Sequence, residues 1–198
     1  MKRIIQLFFL TAVIGGLFIQ AVPNANSKAA IDTAKSTVKW VGKKIMYSHN
    51  GTVDVKSGSI ITSKGRITGG EFILDMNTIK CVDIEDAGKN ANLVGHLKNA
   101  DFFDVANHPT AKLVVKKIGA IKDGVQPLTC DLTIKGITKS VSFPAKVSFS
   151  GKIVTATASF SIDRTLWDIR YGSDKFVDNL GDKAIKNDID FEVTIVSK

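Results

Sequence analysis

Four stretches in the second half of the chain alternate apolar and polar residues almost without a break. Leu128, Cys130, Leu132 and Ile134 alternate with Thr129, Asp131, Thr133 and Lys135, and Val141, Phe143, Ala145, Val147 and Phe149 alternate with Ser142, Pro144, Lys146 and Ser148. Val154, Ala156, Ala158, Phe160 and Ile162 follow the same rule, as do Ile189, Phe191, Val193 and Ile195. A two-residue period places every apolar side chain on one face of an extended strand, so each stretch covers a core with one face and meets water with the other. Glycine turn signals stand at Asn50-Gly51, Lys64-Gly65, Asp123-Gly124, Lys135-Gly136 and Ser150-Gly151. Short glycine turns between alternating runs imply antiparallel hairpins joined in chain order. The pattern predicts eight strands, near 36–44, 52–62, 66–76, 110–121, 126–135, 139–149, 152–163 and 187–197. Long strands lose their exposed edges by closing into a barrel, and eight strands leave an interior that side chains fill or that holds one small ligand. A two-sheet sandwich is the alternative. Pro144 marks an edge or a bulge, because proline cannot donate to a ladder.

The stretch from Asn77 to Pro109 breaks the alternation. Leu93, Leu97 and Ala100 follow i, i+4, i+7 spacing, which predicts a helix of two or three turns within 91–104. So short a helix needs a surface to pack on. The mouth of the barrel, between the third and fourth strands, provides one, with Phe102 and Phe103 turned inward.

The N-terminus has a different composition. Met1-Lys2-Arg3 precedes an apolar run from Ile4 to Ile19, and the small residues Ala21, Ala25, Ser27 and Ala29 follow. This form predicts a cleavable secretory signal peptide over 1–27, cut within 21–30, and one mature domain over 28–198. The expected location is the periplasm. The formal charge of +8 favours anionic partners such as a membrane surface, and export argues against nucleic acid. Both a monomer and a homodimer fit the sequence. Cys81 and Cys130 could pair in an oxidising compartment, but Cys130 lies on an apolar stripe, which favours two free thiols.

Catalytic and metal signatures are missing from the spacing. His49, His96, His108, Cys81 and Cys130 form none of the usual close ligand pairs, so no metal is expected. No nucleophile elbow, H-E-x-x-H or S-x-x-K motif occurs, so no catalytic residue is named. Arg164 continues the inward parity of Phe160 and Ile162. A charge turned into an apolar interior needs an opposite charge or a wet opening. Arg164 is therefore read as paired with Asp101 or Asp104, or else as the binder of an anionic head group at the mouth. Trp40, Phe72, Phe143, Phe149, Phe160 and Phe191 line either an apolar tunnel or a filled core.

Three runs resemble the YceI-like family of exported lipid-binding proteins: "HLKNADFFDVANHPTAKL", "LTIKGITKSVSFPAKV", and "FSIDRTLWDI" followed by "NDIDFEVTIVSK". The resemblance covers about 31–198. It implies an all-β, lipocalin-like barrel of eight antiparallel strands, capped at one end by the short helix and enclosing a polyisoprenoid chain of the quinone or polyprenyl phosphate type. It implies no enzymatic activity and no cofactor beyond that lipid. The expected ligand contacts are Trp40, Phe72, Leu74, Met76, Leu97, Phe102, Phe103, Leu132, Phe143, Phe149, Phe160, Ile162, Arg164, Trp167 and Phe191. Carriage, storage or sequestration of the lipid is the expected function, and a stress-response or structural module that binds a protein partner is the alternative. This sequence departs from the family at Asp168, where glycine is frequent, and in "RYGSDKFVDNLGD" before the last strand, where Lys175, Phe176 and Asp178 reshape the mouth.

Overall fold

The computed structural model describes residues 26–198. The leader expected over 1–27 lies almost wholly outside them. Nine strands follow in chain order: β1 (Ser27–Ala30), β2 (Thr37–Lys44), β3 (Ser48–Ser63), β4 (Arg66–Cys81), β5 (Thr110–Ile118), β6 (Val125–Ile134), β7 (Ile137–Ser150), β8 (Ile153–Asp163) and β9 (Ile185–Val196). Strands β2 to β9 pair with their neighbours in sequence, and β9 pairs back onto β2. The result is a closed, antiparallel, up-and-down barrel of eight strands, not a sandwich. The remaining strand, β1, lies outside the ring and pairs with β3 from Ser27↔Thr62 to Ala30↔Ser59.

Alternation became the wall of this barrel. Val53, Val55, Leu128, Cys130, Leu132, Phe143, Ala145, Val147 and Ile189 are buried on the inner face. The structure lengthens two strands beyond expectation, because β3 and β4 have 16 residues each and pair with one another along most of their length.

Asn50-Gly51 is not a hairpin turn. The turn lies at Ile45–Tyr47, and Gly51 stands inside β3, opposite Trp40 on one side and Cys81 on the other. The glycine is required for space: a Cβ there would sit 1.7 Å from the Lys80 carbonyl oxygen and 2.5 Å from the Trp40 ring. The ring of Trp40 lies where a side chain of residue 51 would otherwise project.

The helix α1 spans Ala87–Lys98, starting earlier and ending earlier than the spacing suggests. Asp86 sets its start, its side chain accepting from the Lys89 backbone N–H at 2.8 Å. It stops at Asn99, whose extended backbone turns the chain, so Ala100, Phe102 and Phe103 lie in the following turns. Helix α1 packs mainly on β4.

Pro144 stands opposite Pro127 in the β6–β7 pair. Two prolines facing each other cannot exchange hydrogen bonds, so the donorless nitrogen of Pro144 faces β8. There the ladder stops: β7 and β8 pair only from Ala145↔Ala158 to Ser150↔Ile153. Above that point the two strands are held by side chains, with Phe143 stacked on Phe160 at 4.3 Å between ring centroids.

Candidate functional site: an apolar bore

The inner faces do not meet. A space with a cavity volume of about 170 Å³ runs through the barrel, and its wall is almost entirely apolar. Every strand from β2 to β9 contributes to it. Phe143, Phe160 and Phe191 form a stacked row on one side, the second pair at 5.6 Å. Leu97 of α1 and Phe102 and Phe103 just after it close one end. Phe102 and Phe103 meet edge to face at 5.2 Å.

Of the expected contacts, Trp40, Phe72, Leu74, Met76, Leu97, Phe102, Phe103, Leu132, Phe143, Phe160, Arg164 and Phe191 line this space. Three do not. Phe149 has inward parity but stands at the far rim beside the β7–β8 turn, and 42% of it remains exposed. Ile162 is buried in the wall where β8 ends, without reaching the bore. Trp167 is buried and donates its indole N–H to the Leu132 carbonyl at 3.1 Å, so it fastens the segment after β8 to β6. Parity alone would have added Ala145, Ala156, Ala158 and Ile189, which also line the space, whereas Ile79 lines it against the parity of Phe72, Leu74 and Met76 because the β3–β4 register shifts between Thr52 and Asp54.

Arg164 pairs with neither Asp101 nor Asp104. Arg164 does face the bore, but the chain leaves β8 there and coils into a 3-10 turn, Arg164–Trp167, capped by Asp163. The fully buried guanidinium donates to three backbone carbonyls: Ile169 at 2.7 Å, Ile185 at 3.1 Å and Lys186 at 3.2 Å. Its plane also lies over the Phe102 ring, 5.6 Å from the centroid. Burial pulls its pKa down, against Asp163 and Asp174, which raise it. The two candidate carboxylates serve their own loop instead, Asp101 lying 3.4 Å from His96 and Asp104 3.8 Å from His108. Arg164 thus ties the β8–β9 connection to the end of the barrel and roofs the bore.

That connection folds back onto the barrel. Ile169 and Ser173 are fully buried, and the Ile185 N–H donates to the Gly172 carbonyl at 2.8 Å. Lys175 pairs with Asp163, while Phe176 stays exposed with Arg170 above its ring. The same end of the barrel, fixed by the up-and-down order, carries Ile45, Met46, Tyr47, Val82, Leu166, Tyr171 and Val177, all exposed.

Four buried side-chain atoms have no hydrogen-bond partner among the described residues, Trp40 Nε1, Thr68 Oγ1, His96 Nε2 and Asn187 Oδ1, and of these only Trp40 Nε1 belongs to a residue that lines the bore. The Trp40 indole N–H is buried and meets no acceptor among the described residues. An unmet buried donor is costly, and an acceptor on a bound molecule would satisfy it.

Both cysteines are buried free thiols. Burial pushes the Cys130 thiol up to about 11. Neither thiol should react with iodoacetamide in the folded protein, and mass spectrometry should show both alkylated after denaturation. Modification of Cys130 under native conditions would contradict its placement in the wall. Cys81 has polar company: its Sγ donates to Asp83 Oδ1 at 3.1 Å, and Asp83 Oδ2 lies 2.9 Å from His49 Nδ1.

Known proteins resemble this architecture. A family model described as "YceI-like domain" matches residues 30–197. A UPF0312 protein of Pseudomonas putida strain F1 is 40% identical over 116 residues, 58% of this chain and 58% of that protein, so the match spans less than two thirds of the relative. Among solved structures, Burkholderia cenocepacia BcnA superposes with a TM-score of 0.65 at 21% identity, covering 85% of this chain and 99% of that one. A polyisoprenoid binding domain from Saccharophagus degradans, described as implicated in plant cell wall breakdown, gives 0.65 at 14% identity, covering 88% and 99%. At these identities the structural likenesses establish the fold alone.

Proposed function

Because this chain belongs to the YceI-like domain family, we propose that it is an exported carrier or store for an isoprenoid lipid, binding the chain rather than transforming it. The observation that carries this reading is the bore itself: a closed barrel with an apolar space through its middle. Each CH2 group moved from water into such a space contributes about 0.8 kcal/mol. A prenyl tail fits the space because it is slender, apolar and long.

The Trp40 indole extends the reading to the head group. A quinone carbonyl or a phosphate oxygen would accept its unmet hydrogen bond. Trp40→Phe should therefore weaken retention of a prenyl quinone about three- to tenfold, the value of one neutral hydrogen bond, and leave squalene retention unchanged. Equal effects on both lipids would remove the indole from head-group recognition.

The exposed apolar residues at the helix end suit contact with a bilayer, and the basic side chains among them, Lys44 and Arg170, suit an anionic one. The periplasm is the proposed compartment, which the sequence of residues 1–27 supports through its resemblance to a cleavable leader. The protein purified from its own host should release a prenyl lipid on organic extraction, identified by mass spectrometry. Extracts that hold no prenyl lipid above the level of an unrelated exported protein would defeat the proposal.

A further inference from the structure

We infer that His49, Cys81 and Asp83 form a binding site for a zinc-class divalent cation at the rim of the barrel. One potential ligand atom from each residue lies within 4.8 Å of the other two, and this is the single such group found among the described residues. A thiolate, an imidazole and a carboxylate are the donor types that zinc takes, whereas magnesium and calcium prefer oxygen alone. Three protein ligands leave a fourth tetrahedral position open, and the His49 and Asp83 side chains remain 31% and 27% exposed, so solvent reaches the group.

The three groups are already held in place. The Asn50 N–H donates to Asp83 Oδ1 at 3.0 Å, and the Val82 N–H donates to the Asn50 carbonyl at 3.0 Å. From α1, the Asn90 side-chain amide donates to the carbonyls of Cys81 and Ile84, both at 3.0 Å. The segment that carries Cys81 and Asp83 is therefore clamped to β3 and to the helix. Tyr47 meets the His49 ring edge-on at 5.3 Å and limits its swing.

Without a cation, the thiol and the imidazole both hydrogen-bond to the one carboxylate. A divalent cation replaces those hydrogen bonds. The Cys81 S–H gives its proton to solvent as the sulfur–metal bond forms, His49 contributes a ring-nitrogen lone pair, and Asp83 contributes an oxygen. The two positive charges meet one thiolate and one carboxylate, so the filled site is neutral. The lipid reading plays no part in this site.

Cobalt(II) is the probe, because a cobalt–thiolate bond absorbs in the near ultraviolet. Titrated into the purified, chelator-treated protein, it should produce a thiolate-to-cobalt band that saturates at one equivalent and disappears on adding zinc. A partner behind a metal ligand is worth about 10–100-fold in affinity, so removal of a ligand itself through Cys81→Ser or His49→Ala should weaken binding by at least that much. Cys130→Ser should leave the titration unchanged. His49→Ala changes a half-exposed rim residue, and circular dichroism would verify that it still folds. No thiolate band in the folded protein, or a band that survives Cys81→Ser, would overturn the site.

Discussion

Phenylalanine at both Ala156 and Ala158 should strip the barrel of lipid without unfolding it. The two alanines lie on the inner face of β8, two residues apart, and both line the bore. Ala156 faces Val147 and Ile195 across its ladders, and Ala158 faces Ala145 and Val193, so the wall around them is built from small and medium side chains. In a filled core, enlarging such residues displaces neighbours at a cost of typically about 1–3 kcal/mol each. In an open bore the new rings fall into empty space and cover apolar wall. The denaturation midpoint of the double variant should match or exceed the parent's. Excluding only two CH2 groups of a tail, at about 0.8 kcal/mol each, already exceeds a tenfold loss of affinity, and two rings exclude more. Extractable lipid should therefore fall at least about tenfold. A midpoint that drops steeply while lipid content holds would mean that the interior is packed at β8 and that lipid binds elsewhere.

The second large effect is on stability. Arg164→Ala should cost about 3–5 kcal/mol, because three carbonyls lose their donor together inside the protein. In a domain of this size that corresponds to a fall of about 10 °C in Tm. Arg164→Met fills the same volume without donors and should remain close to alanine, while Arg164→Lys should recover part of the loss. Asp101→Asn and Asp104→Asn separate this arrangement from an internal ion pair. Their carboxylates face His96 and His108, so both variants should stay within about 0.5 kcal/mol of the parent. A collapse of Asp101→Asn comparable to Arg164→Ala would restore the ion-pair reading.

The barrel was legible because alternation is a local property with a global meaning. Four strands that each keep one dry face left a barrel and a sandwich open, and the β2–β9 pairing decides for the barrel. Parity tells which way a side chain points, though not how far along the barrel it sits. Phe149 therefore looked like a wall residue although it stands at the rim. Parity turned Arg164 inward correctly but could not name its partners, which are backbone carbonyls with no side-chain signature. Asn50-Gly51 misled for another reason: glycine serves turns and tight contacts alike, and only the position of the Trp40 ring decides between them. The trio of His49, Cys81 and Asp83 was invisible because register, not spacing, assembles it. His49 opens β3 while Cys81 closes β4, and the pairing of Gly51 with Cys81 brings the two ends together.

The incomplete ladder between β7 and β8 bears on the calibre of the molecule. Strand number and stagger set the girth of a barrel whose neighbours are all hydrogen-bonded. Toward the helix end this barrel has one flank unbuttoned, bridged by a Phe143–Phe160 stack worth only about 0.5–1.5 kcal/mol beyond its burial. Its circumference can grow there by sliding two rings apart, with every remaining ladder intact. The opposite end has a gap of its own, because β4 and β5 pair only from Glu71↔Val114 to Asp75↔Thr110, and there the Gln126 side chain hydrogen-bonds to both backbone groups of Ile67. Such a vessel is fastened by side chains at both ends, a stacked pair of rings at the collar and an amide clasp at the base.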